Sequence, residues 1–129
     1  MKTLTKKLIP ALLLIFGLVS LNGCGKTPQN VCGVKNPLTD LPWLNQIIAV
    51  CEENSQNGYG MPCRIYQCTY DNDKIGFLIE PCAGCPDAGY SFCSCDGTIL
   101  CGGGGISGID TCGEFNIDFT NKKLIYQHN

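Results

Sequence analysis

Apolar and polar positions follow three regimes along this chain. Residues 8–21 form an almost continuous apolar run interrupted by Pro10. Between residues 41 and 54 the apolar positions Leu41, Leu44, Ile47, Ile48 and Cys51 recur at helical spacing, and Glu52, Glu53 and Asn54 mark its polar end. This predicts a helix over 41–54, capped by Asp40 or Thr39, accepting Pro42 in its first turn and stopped by Asn57-Gly58. From Pro62 the period shortens to two. Residues 63–70 and 74–80 flank Asp71-Asn72-Asp73 and predict a β-hairpin with Ile75, Phe77 and Ile79 on one face.

A second hairpin is predicted from 91–95 and 98–101 around Asp96-Gly97. With a two-residue loop Cys95 faces Thr98 and Cys93 faces Leu100, so Cys93 and Cys101 fall on opposite faces and cannot bridge across it. Gly102-Gly103-Gly104-Gly105 predicts a flexible or tightly bent loop. Residues 115–119 and 123–126 predict a closing hairpin turned by Thr120-Asn121-Lys122. The expected class is α+β: one N-terminal helix packed on a small antiparallel sheet of four to six strands, in hairpins or a meander, stapled by disulfides.

Lys2, Lys6 and Lys7 precede the first apolar run, and Leu21-Asn22-Gly23-Cys24 ends it. A basic start, a short apolar segment and small residues before a cut are the parts of a secretory signal peptide. The run is short for a bilayer helix, which needs about 20 apolar residues. Leu21-Asn22-Gly23-Cys24 resembles the bacterial lipobox, whose cysteine takes a diacylglycerol and becomes the new N-terminus, although Asn22 stands where Ala or Ser is usual. The expected organisation is a signal peptide at 1–23, a lipidated tether at 24–37 whose end Cys32 pins, and one cysteine-rich α+β domain at 38–129. Acyl chains on Cys24, palmitate among them, would then hold the protein at the membrane.

Cleavage before Cys24 changes the charge balance. Six Lys/Arg remain against eleven Asp/Glu, a side-chain charge of about −5 in place of the whole-chain −2. A nucleic-acid partner is not expected, since phosphate binding requires a basic face. With Cys24 assigned to lipid, an even ten cysteines remain: Cys32, Cys51, Cys63, Cys68, Cys82, Cys85, Cys93, Cys95, Cys101 and Cys112. In an exported domain of this size they read as four or five disulfides, each worth about 2–4 kcal/mol. Cys51 is expected to staple the helix to the sheet.

Several motifs carry a possible chemistry. Cys82-Ala83-Gly84-Cys85 has thiol–disulfide exchange spacing, but an activated thiol normally sits at a helix N-terminus, and Pro86, Asp87 and Gly89 predict a turn. With Cys93-Ser94-Cys95 the same pair has the ligand types of a zinc site, against which an oxidising compartment favours disulfides. No metal or other cofactor is therefore expected. Asp71 and Asp73 open a calcium-loop pattern that fails at its twelfth position, Cys82, and are assigned to a solvated turn. His128, the only histidine, sits second from the end, a poor place for a catalytic base. Trp43 is expected in the core or at its rim.

Three features together resemble a family of small, uncharacterised Bacteroidota-type lipoproteins. They are the helix start within Asn36-Pro37-Leu38-Thr39-Asp40-Leu41-Pro42-Trp43-Leu44, then Glu80-Pro81-Cys82, then Cys101 with Gly104-Gly105-Ile106-Ser107-Gly108 and Asp110-Thr111-Cys112. This chain departs from that pattern where the family carries two adjacent cysteines, at Cys82 to Cys85, and where it carries Gly-Asp-Gly, at Ile109-Asp110-Thr111. The resemblance implies a cell-envelope location and an α+β domain, and it implies no reaction. The expected role is a non-enzymatic binding or interaction module, lipid-anchored at the outer membrane on its periplasmic face. Its partner is an unknown envelope protein or small ligand. The candidate surface is the Cys101–Cys112 loop, with Gly104, Gly105, Ile106, Ser107 and Asp110, beside an exposed Tyr90. The alternative is a thiol–disulfide or metal-dependent envelope enzyme using Cys82 and Cys85.

Overall fold

A computed structural model describes residues 30–59 and 62–129. The expected signal peptide, the lipobox-like stretch and residues 24–29 of the expected tether lie outside the described residues. No described helix is long and apolar enough to cross a membrane.

The helical region divides at Leu41. A short helix α1 spans Pro37–Asp40 and the main helix α2 spans Pro42–Asn54. Leu41 precedes a proline, whose ring disfavours helical backbone in the residue before it, and it adopts extended angles (φ −96°, ψ 106°) between the two. It is also the N-cap of α2, with no side-chain capping bond. Asp40 and Thr39 thus do not cap the main helix. The Asp40 carboxylate instead accepts the Asn36 N–H at 3.0 Å, while the Asn36 side chain caps α1 by accepting from the Leu38 N–H at 3.2 Å. The Asn36 backbone N–H, with Thr39 adding to it, holds the Asp40 carboxyl below its usual pKa. At the other end Asn57-Gly58 does not stop the helix after Asn54. The Ser55 N–H donates to the Cys51 and Glu52 carbonyls, and the chain widens into a π-helical turn over Ser55–Tyr59.

Five strands form one antiparallel sheet: β1 (Cys63–Tyr70), β2 (Lys74–Glu80), β3 (Gly89–Ser94), β4 (Ile99–Gly104) and β5 (Lys123–His128), in the order β4-β3-β2-β1-β5. The first four make a meander, and β5 returns to the far side of β1. The β1–β2 hairpin has its expected limits. Asp71, Asn72 and Asp73 all take positive φ, the left-handed region that Asp and Asn tolerate best after glycine. The β3–β4 turn is longer than expected. Ser94 N–H donates to the Thr98 carbonyl at 3.0 Å, closing a loop of three residues, Cys95, Asp96 and Gly97, in which the Asp96 carboxylate binds the Ser94 hydroxyl and the Thr98 N–H. A bulge follows, so that Cys93 pairs with Ile99 rather than Leu100, and Phe92 with Cys101. Cys93 and Cys101 still lie on opposite faces.

Both faces of the sheet are covered. Leu41, Leu44 and Ile48 pack on Ile65, Phe77, Ile79 and Cys93 on the helix side. On the other side Cys68, Leu78, Phe92, Cys101 and Cys112 form a second core beneath Phe115 and Ile117. Those two residues belong to the segment expected as a strand of a closing hairpin. That hairpin does not form, because Asp118 turns the chain with its carboxylate, accepting from the Thr120 and Asn121 N–H groups at 3.0 and 3.1 Å. The segment covers the sheet as a loop and β5 pairs with β1 instead.

Four disulfides cross-link this three-layer arrangement: Cys32–Cys95, Cys51–Cys63, Cys82–Cys85 and Cys101–Cys112. The second is the expected staple from helix to sheet. Cys68 and Cys93 are unpaired and buried, which corrects their assignment as disulfide partners. They sit in different cores with the sheet between them, and burial pushes each thiol up to about 11.

Candidate functional site

The expected binding residues gather at one end of the sheet, where β2 ends, β3 begins and β4 ends. Two loops meet there. After Glu80 the chain makes consecutive turns through Cys82, Cys85 and Ala88, with Cys85 N–H donating to the Cys82 carbonyl and Ala88 N–H to the Cys85 carbonyl, both at 3.1 Å. The Ala88 carbonyl in turn accepts the Gly105 N–H at 3.1 Å. The cysteine turn and the glycine loop are therefore joined through one residue.

The glycine run is more ordered than a flexible loop. Gly102, Gly103 and Gly104 belong to β4, and only Gly105 lies beyond it. The Tyr90 side chain lies against Gly103, where a Cβ would meet its ring at 2.8 Å, and Gly104 and Gly105 then turn the chain with φ of 79° and 73°. Thr111 closes the loop: its N–H and hydroxyl bind the Gly102 carbonyl at 2.9 Å each, which occupies part of the open edge of β4.

Tyr90 is half-buried rather than exposed. Its hydroxyl donates to the Asp110 carboxylate at 2.8 Å, and its ring meets Phe119 edge-on at 6.2 Å. The other Asp110 oxygen accepts the Cys112 N–H at 2.8 Å. Burial, with the Asp110 hydrogen bond and charge added, pushes Tyr90 up to about 12. The Cys112 N–H and then the Tyr90 hydroxyl hold Asp110 below its usual value. Between these anchors the loop projects Ile106 and Ile109, which are 89% and 64% exposed, and Ser107. A recess of about 180 Å³ lies on one side, lined by Glu80, Cys82, Cys85, Ala88 and Tyr90. A second, of about 390 Å³, lies between Asp110, Asn116 and Phe119. The surface thus offers exposed apolar side chains and a fixed carboxylate on a braced frame.

The remaining candidates are dispersed. Cys82 and Cys85 are bridged within a turn, and the chain after them makes a further turn rather than a helix whose N-terminus could activate a thiol. Cys93 and Cys95 belong to the opposite end of β3, Cys93 buried and Cys95 bonded to Cys32, so these four cysteines do not converge. His128 ends β5 opposite Cys63. Trp43 sits at the rim of the helix-side core, packed edge-on against Phe77 at 5.7 Å and donating its indole N–H to the Cys95 carbonyl at 2.9 Å. Sequence reasoning missed the Tyr90–Asp110 bond and the Ala88 link. The position of Asp110 two residues before Cys112, the spacing of an Asx turn, was the available signal for the first.

The sequence model of DUF6970, a domain of unknown function, matches residues 51–128. The match takes in all five strands and both loops of the candidate site. No curated protein and no solved structure matches the chain.

Proposed function

The chain belongs to the DUF6970 family, and we propose that it is a lipid-anchored bacterial cell-envelope protein whose domain binds a partner rather than catalysing a reaction. The observation that carries the location is the pairing of eight cysteines in four disulfides behind a lipobox-like Leu21-Asn22-Gly23-Cys24. Disulfides persist in oxidising compartments, and a chain bearing two or more acyl groups stays at the membrane. The periplasmic face of the outer membrane fits the absence of an acidic run after Cys24, the kind of signal that accompanies surface export. The binding surface is the loop from Gly104 to Asp110, with Ile106 and Ile109 as apolar contacts and Tyr90 beneath them as the brace.

Two measurements test the reading. Metabolic palmitate labelling marks the wild type and is lost in Cys24→Ala, which then fractionates away from the membrane; labelling that survives the substitution overturns the anchor. A photoreactive amino acid at position 106 in intact envelopes captures a discrete partner, and one at the exposed Val50 on α2 does not. Equal capture at both positions overturns the surface.

A further inference from the structure

We propose that the Cys82–Cys85 bridge is a thiol–disulfide exchange site, opened by an external dithiol while the domain stays folded. The other three bridges join separate parts of the fold. Cys32–Cys95 spans 63 positions and ties the N-terminal segment to the β3–β4 turn; Cys51–Cys63 joins α2 to β1; Cys101–Cys112 joins β4 to the covering loop, and both partners of the last two bridges are buried. Cys82–Cys85 alone joins two positions of a single turn, 3 apart, and both residues, like Cys32 and Cys95, are half-exposed, here beside the 180 Å³ recess.

That turn keeps its shape without the bridge. Ala83 is 7% exposed, and its N–H donates to the Pro62 carbonyl at 2.6 Å, fixing the turn to the start of β1. Cys85 N–H to Cys82, Ala88 N–H to Cys85 and Gly105 N–H to Ala88 complete the bracing. Opening the bridge therefore releases no element from the sheet. Cys68 and Cys93, buried in the two cores, are out of reach of the freed thiols, so exchange at this turn does not spread to other pairs.

The reaction balances with a dithiol as co-reactant. A donor thiolate attacks one sulfur of the bridge, the Cys82–Cys85 S–S bond breaks, a mixed disulfide forms, and the displaced sulfur takes up a proton. The donor's second thiol then attacks its own sulfur in the mixed disulfide, closing the donor's disulfide and releasing the remaining cysteine as a thiol. Two electrons and two protons pass from the donor to the pair. Cys82 and Cys85 line the same recess as Tyr90, and the Cys85 backbone lies two hydrogen bonds from Gly105, so the exchange site adjoins the candidate binding loop.

The test is a time course of the purified full chain in dithiothreitol, trapped with N-ethylmaleimide and mapped by peptide mass, with Trp43 emission recorded alongside. Cys82 and Cys85 are expected to become labelled about ten-fold or more faster than any other bridged pair, with emission unchanged during that phase. The double variant C82S/C85S is expected to keep native emission and to lack the fast phase. Earlier or simultaneous opening of another bridge, an emission change in step with the fast phase, or failure of the double variant to fold each overturns the proposal. The outcome does not depend on the lipid anchor.

Discussion

The Tyr90 hydroxyl and the Asp110 carboxylate, 20 positions apart, meet at 2.8 Å and tie the start of β3 to the loop beyond β4. Asp110 spends its second oxygen on the Cys112 N–H, so one carboxylate holds the tyrosine and also sets the entry to the buried Cys101–Cys112 bridge.

Tyr90 gives the domain an alkaline limb. Tyr90 is raised from 10.0 to about 12, chiefly by burial. A group whose folded pKa is raised contributes stability that is fully present below the unfolded value and lost as pH rises through the folded one. Stability is therefore expected to fall between pH 10 and about 12, and Tyr90→Phe to flatten that fall. Denaturant midpoints across this range, with tyrosinate absorbance recorded in parallel, measure both.

An acid limb should come from Asp118. Hydrogen bonds from Thr120 and then Asn121 lower its carboxyl to about 2 from 3.8. A depressed carboxylate contributes stability above its unfolded pKa that is lost as pH falls through the folded value, here between about 4 and about 2. Asp118→Ala should remove this contribution and raise amide hydrogen exchange in residues 118–123, which mass spectrometry can localise.

Gly76→Ala should destabilise the domain by about 1–3 kcal/mol, a typical cost of overpacking. An added Cβ would overlap the Phe92 ring and approach the Cys93 carbonyl at 2.8 Å, so the adjacent strand cannot give way at the far end of a flexible side chain alone. Phe77→Ala, at a fully buried position between Trp43 and the sheet, should cost about 3–5 kcal/mol. Urea unfolding followed by Trp43 fluorescence ranks the two.

Cys68 and Cys93 should resist alkylation in the native state and react only on unfolding. Both are buried and both thiols are raised to about 11 by that burial. Iodoacetamide labelling at pH 8 with and without denaturant, read by peptide mass, tests this. Cys68→Ala and Cys93→Ala should leave the four bridges unchanged.

The parts of the fold that were legible are those decided within a short stretch. The β1–β2 hairpin follows from a period of two on each side of three residues that tolerate positive φ, and α2 from the recurrence of Leu44, Ile48 and Cys51. The misread parts are those where distant residues compete. Residues 115–119 alternate like a strand, but Phe115 and Ile117 bury against a sheet face, and Asp118 supplies its own turn. The run Phe77-Leu78-Ile79 carried the missed signal for that second covered face, since consecutive buried residues need apolar neighbours on both sides. The Cys32–Cys95 pairing, 63 positions apart, and the odd pair left on opposite faces follow from topology, which no local spacing encodes. At the candidate site only the turn at Gly104-Gly105 was legible, since Gly102 and Gly103 extend β4, and Tyr90 was placed on the surface because its partner lay outside its own stretch of chain.

The Cys32–Cys95 bridge also decides where a force on the chain enters the domain. It fastens the chain's entry point to the turn just past Ser94, at one end of β3, while Tyr90 and the two loops around it stand at the other end. With about 3.4 Å of rise per residue, the 6 residues of β3 separate the two by roughly 20 Å. A pull along the chain from upstream of Cys32 therefore loads the β3–β4 turn through this bridge before it can peel α2 from the core.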